Sequence, residues 1–76
     1  MNPDLQQLLV DDLNLAPETL HPDSRLDDAG LDSLGIVELS VTLSEKWGVE
    51  IGENELAAAA TLAGLDRLVD ERRSGR

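Results

Sequence analysis

A serine set between an acid and a leucine, Asp32-Ser33-Leu34, stands where a helix is about to begin, and few other residues in this sequence invite chemistry. As a hydrolytic nucleophile it lacks the surroundings. The nucleophile elbow needs glycines two residues before and two after the serine, whereas "GLDSLG" places Gly30 three before and Leu31 in the glycine's place. His21, the one histidine, lies beside Pro22 in a turn-rich stretch. A Ser-His-Asp relay would hang on a single exposed imidazole in a chain too short for a hydrolase sheet. Asp27, Asp28 and Asp32 raise the question of calcium. Counted from Asp28, the third, fifth and sixth residues are Gly30, Asp32 and Ser33, which does not match the acid-or-amide and glycine pattern of an EF-hand loop. Neither catalysis nor a metal site is expected.

What Ser33 can do follows from its position. In the first turn of a helix, unpaired backbone N–H groups and the helix dipole favour an anion, so a phosphate ester on the serine oxygen is locally tolerated. Capping alone is the plainer role of an Asp-Ser pair at such a place.

The elements that must position this residue read as helices. In "NPDLQQLLVDDL", Asn2 caps, Pro3 suits the first helical position, and Leu5, Leu8, Leu9 and Val10 follow helical spacing. The next stretch, "NLAPETLHPDSRLDDAG", is rich in turn formers, yet Leu15, Leu20, Leu26 and Leu31 predict a long loop pinned onto the core. Asp32 is a good N-cap for a second helix over 33–47, which Gly48 ends. "VEIGENELAAAA" predicts an extended link and one brief helical turn, and Thr61 caps a last helix through Leu62, Leu65, Leu68 and Val69. The expected fold class is all-α: a small four-helix bundle, three main helices plus one short helix, with a long loop between the first and second helices. Residues 71–76 are expected to form a disordered tail.

Composition bounds the function. A chain of 76 residues forms a single domain with one core, burying about 60% of its unfolded surface. Without cysteine it has no disulfide or thiolate zinc site, and a reducing cytoplasm is the expected setting. No segment approaches the roughly 20 apolar residues of a membrane span. Sixteen acids against six bases give a net charge of −10, which repels nucleic-acid phosphates and anionic lipids and favours a basic partner. The bases are uneven, since "RLVDERRSGR" holds four of the five arginines.

The second helix carries two faces. Ile36, Leu39, Leu43 and Trp47 form the core stripe of an amphipathic segment. Leu34 and Val41, seven apart, lie on another side with Glu38 and Glu45 beside them, making a face that is apolar in the middle and acidic at the rim. Such a surface suits a weak, rapidly exchanging contact. The competing reading packs Leu34 under the loop and Val41 against a neighbouring helix.

With those residues in view, "DDAGLDSLGIVELSVTLSEKWGVEI" resembles the acyl carrier protein family, in Gly30, the Asp32-Ser33-Leu34 triplet and Val37-Glu38-Leu39. The frame agrees from Leu5 to Val69: a helix, a leucine-pinned loop, the triplet opening the second helix, an aromatic closing it, "GVEI", and a Thr-capped last helix. The resemblance implies that Ser33 carries 4′-phosphopantetheine, transferred from coenzyme A by a phosphopantetheinyl transferase, and that the protein carries acyl groups as thioesters without catalytic activity of its own. It implies further that Asp32, Leu34, Glu38, Val41 and Glu45 are the recognition face for basic patches on acyltransferases, ketosynthases and other acyl-processing enzymes. A free-standing monomer is expected.

Carriers of primary fatty-acid synthesis usually place an acid right after the triplet and crowd acids at the end of the second helix, where this chain has Gly35, Ser44 and Lys46. Polyketide or other specialised assembly is the expected pathway. Peptidyl carriers usually have glycine and histidine before the serine, here Leu31 and Asp32, and D-alanyl carriers typically follow it with methionine, here Leu34. A peptidyl, aminoacyl or D-alanyl carrier is therefore a second expectation, and a helical protein-interaction adaptor without a prosthetic group is a third, from a different class.

Overall fold

The computed structural model describes residues 2–74. Asn2 opens α1 (Pro3–Asp11) by accepting a hydrogen bond from the Asp4 N–H at 2.8 Å, and Pro3 fills the first position, where its missing N–H has no partner to lose. The helix buries Leu5, Leu8 and Leu9.

The loop over 12–32 is long but well tied. Leu20, Leu26 and Leu31 are buried in the core, while Leu15 packs against it half-buried. A 3-10 turn over Pro17–Thr19, which the sequence reading does not include, is braced by Thr19 Oγ1 donating to the Ala16 carbonyl at 2.8 Å. The Leu26 N–H donates to the Ala60 carbonyl (3.1 Å), the Leu62 N–H to the Ser24 carbonyl (2.9 Å) and the Ala63 N–H to the Pro22 carbonyl (2.8 Å), so backbone groups stitch the loop to the start of the last helix. Arg25 and Thr61 form an isolated antiparallel bridge there.

The second helix, α2 (Ser33–Trp47), buries Ile36, Leu39 and Leu43 and stops at Gly48, whose φ of 67° is left-handed. Trp47 is only half-buried, packed against the core rather than within it. Ser40 Oγ, donating to the Ile51 carbonyl at 2.8 Å, fixes the link that leads into the short α3 (Glu53–Ala58). Thr61 Oγ1 accepts from the Gly64 N–H at 3.2 Å and opens α4 (Leu62–Ser74). Leu56, Leu62, Leu65 and Val69 complete the core. Among the described residues the bundle is thus all-α, with three main helices and one short one besides the 3-10 turn. No helix among the described residues is long and apolar enough to cross a membrane.

One expectation needs correction. Residues 71–74, read as part of a disordered tail, continue α4 as helix, while 75–76 lie outside the described residues. The basic end has partners that its composition does not reveal: Arg72 pairs with Glu55 on α3, and Arg73 lies over Trp47 and 3.7 Å from Asp4. Cations in the last turn also suit the negative end of the helix.

Candidate functional site

The site is built where the loop turns into α2. Gly30 has a φ of +98°, which a side chain rarely adopts, and a Cβ there would approach Leu15 Cδ2 to 3.0 Å. This turn delivers Asp32 in an extended conformation, from which its Oδ1 accepts the Gly35 N–H at 2.9 Å. Capping is therefore the work of Asp32, which leaves Ser33 exposed at the first helical position. Other serines of α2 are committed elsewhere, Ser40 to the Ile51 carbonyl and Ser44 to Glu50 Oε2 at 2.7 Å.

Ser33 opens onto a groove of about 640 Å³ between the loop, the start of α2 and α3. Its apolar lining is Leu26, Leu31, Ile36, Val37, Ala57 and Ala60, and its polar lining includes Arg25, Asp27, Asp32, Glu53 and Asn54. The groove is not legible from local sequence, because three separate segments assemble it.

On the outer side of α2 the expected face is present. Leu34 is 68% exposed and Val41 50% exposed, so neither is tucked under the loop or a neighbouring helix. Glu38 and Glu45 are exposed beside them. Val37, 37% exposed, also belongs to this face, beyond the five residues expected there. Its spacing, three after Leu34 and four before Val41, is the signal that finds it. Leu34, Val37 and Val41 form an apolar stripe that begins next to Ser33.

His21 is exposed on the loop and is not among the residues lining the groove at Ser33. Asp27 accepts the Asp28 N–H at 3.0 Å and pairs with Arg25 at 3.6 Å, and no group of three potential metal ligands is gathered among the described residues. An exposed, capped serine at a helix start, beside a groove and an apolar stripe with an acidic rim, can bear a covalent group and offer it to other proteins.

Residues 3–69 match the family described as "Phosphopantetheine attachment site". The chain is 34% identical over 68 residues to an acyl carrier protein of Sulfurovum sp. (strain NBC37-1), covering 88% of this chain and 91% of the relative. It is 35% identical over 68 residues to an acyl carrier protein of Wolinella succinogenes, covering 88% and 90%. An acyl carrier protein of Chlamydia trachomatis serovar D is 33% identical over 72 residues, covering 93% of this chain and 94% of its own. The chain therefore belongs to the acyl carrier protein family: it is a carrier bearing covalently attached 4′-phosphopantetheine, not a catalyst.

Proposed function

We propose that Ser33 is the attachment residue and that the protein carries acyl intermediates of a specialised, polyketide-type assembly. The observation that supports this most is the exposure of Ser33 at the mouth of the groove, with Asp32 taking over the capping that would otherwise occupy the serine hydroxyl. These residues fit the prosthetic group, since the position is open, lies at the anion-favouring end of α2 and adjoins space for a flexible chain. When bound, the group supplies the thiol that this cysteine-free chain lacks, and acyl groups are held on it as thioesters.

The chain's own residues present and identify the site. Gly30 and Asp32 set the angle at which Ser33 leaves the loop. Leu26, Leu31, Ile36 and Val37 give the groove an apolar lining on which hydrocarbon is shielded from water. Leu34, Val37 and Val41 give partners a modest apolar grip, and Asp32, Glu38 and Glu45, within a chain of net charge −10, steer basic patches towards it. The partners in this reading are a phosphopantetheinyl transferase, an acyltransferase and a ketosynthase, met by a monomer in the cytoplasm.

The specialised pathway is supported by how the end of α2 is used. Lys46, which pairs with Asp12 at 3.0 Å, and Ser44, which donates to Glu50, stand where carriers of primary fatty-acid synthesis usually crowd acids. Incubation with coenzyme A and a broad-specificity phosphopantetheinyl transferase tests the attachment. Wild type gains the mass of one arm and Ser33→Ala gains none; an unchanged wild-type mass contradicts the reading. Acyl transfer to the loaded protein should be faster from a polyketide acyltransferase than from its fatty-acid counterpart, and the reverse order would place the chain in primary metabolism.

A further inference from the structure

Among the described residues, Arg25 is the one cation lining the groove onto which Ser33 opens, and three carboxylates, Asp27, Asp32 and Glu53, share that lining. A phosphodiester on Ser33 adds another negative charge to this ring, and a cation on the same lining is what offsets it. The backbone of Arg25 is fixed by its bridge to Thr61 and by the Ala29 N–H, which donates to the Arg25 carbonyl at 3.0 Å. Its side chain is not fixed to the same degree. Nε lies 3.6 Å from Asp27 Oδ1, and the two side chains are 73% and 67% exposed, the kind of surface pair that contributes little and exchanges readily. A guanidinium offers a planar fork of donors that can pair bidentately with phosphate oxygens.

We propose that Arg25 is the anion clamp of this groove: on attachment of the arm its guanidinium leaves Asp27 and pairs with the phosphodiester at Ser33. Arg25 is then a positioning residue that holds the start of the arm over the groove's apolar lining. The inference rests on the reading of Ser33 as the attachment residue. A carboxylate on the acyl cargo is the other source of such an anion. The phosphodiester is favoured because it is anchored at the groove mouth and present whatever the cargo.

The test follows the Arg25 Nε–H resonance in nitrogen-15-labelled wild type in four forms: without the arm, with it, and with the arm carrying an acetyl or a succinyl group. The phosphorus resonance of the arm is compared between wild type, Arg25→Lys and Arg25→Gln. The expected result is a shift of the Arg25 resonance on attachment that is the same for free thiol and acetyl forms, and a phosphorus shift in Arg25→Gln that Arg25→Lys partly restores. An Arg25 resonance unmoved by attachment overturns the clamp, and one moved only by succinyl assigns the anion to the cargo and overturns it equally. A protein that accepts no arm overturns the Ser33 reading and the clamp with it, whereas loading with Arg25 unmoved overturns the clamp alone.

Discussion

The guanidinium of Arg73 lies 4.1 Å from the centre of the Trp47 ring, joining the last turn of α4 to the end of α2. A cation over an indole face contributes about 0.5–1 kcal/mol at an exposed site. Arg73→Ala should lower the melting temperature by roughly 2–8 °C, given about 4–8 °C per kcal/mol for a domain of this size. Trp47 is the only tryptophan, so its fluorescence reports the same contact without interference. An unchanged emission spectrum and melting temperature in Arg73→Ala would show that the stacking is not maintained in solution.

Two helical glycines should respond in opposite directions to alanine. A Cβ on Gly35 meets its nearest atoms at 3.4 Å, ordinary contact, so Gly35→Ala should gain about 0.5–1 kcal/mol from lower backbone entropy in the unfolded chain. A Cβ on Gly64 falls 2.4 Å from the Ala59 carbonyl oxygen, so Gly64→Ala should lose about 1–3 kcal/mol through forced backbone shifts. Denaturant midpoints for both variants check the pair; stabilisation by Gly64→Ala would contradict the close approach of α4 to the end of α3.

Glu55 on α3 and Arg72 on α4 give a pH dependence with a defined sign. The hydrogen bond from Arg72 holds the Glu55 carboxyl below the usual glutamate range, with help from the Gly52 N–H. Because the folded-state value is depressed, the contribution is full above the ordinary glutamate pKa of about 4.3 and is lost as pH falls through the lowered value. The melting-temperature gap between wild type and Glu55→Gln should therefore be small but present at neutral pH and close in acid. Both groups are solvent-exposed, so added salt should narrow the gap as well. A gap that widens in acid would contradict the pairing.

The acidic rim of α2 should act on encounter. Glu38→Lys with Glu45→Lys should slow loading by the transferase at low ionic strength and lose most of that effect at high salt, since exposed charges are screened over about 10 Å at 0.1 M. Val37→Ser, beside Leu34, should weaken partner binding with little dependence on salt. Equal losses at low and high salt for the double charge variant would point to damage in the fold instead.

Much of this molecule is legible in its sequence where the signal is local. Asn2, Asp32, Gly48 and Thr61 mark helix ends with their own side chains or backbone, and each does so in the structure. Leu34 and Val41 stand out because they fall off the core stripe. Val37 is harder to see, since it sits between core-facing Ile36 and rim-facing Glu38 and is only partly exposed. The groove is invisible in the same way, because Arg25, Ser33 and Asn54 meet only after the loop is stitched to the start of α4. The basic end looks like a tail in composition, and its partners Glu55, Trp47 and Asp4 come from three other helices.

Peptide mapping of the loaded protein by mass spectrometry tests the assignment of Ser33 most directly. Fragment ions should place the phosphopantetheine on Ser33, in the peptide that contains Asp32 and Leu34, and leave Ser24, Ser40 and Ser44 unmodified. An arm found on any other residue, or a peptide containing Ser33 that stays unmodified after complete transferase treatment, would contradict it.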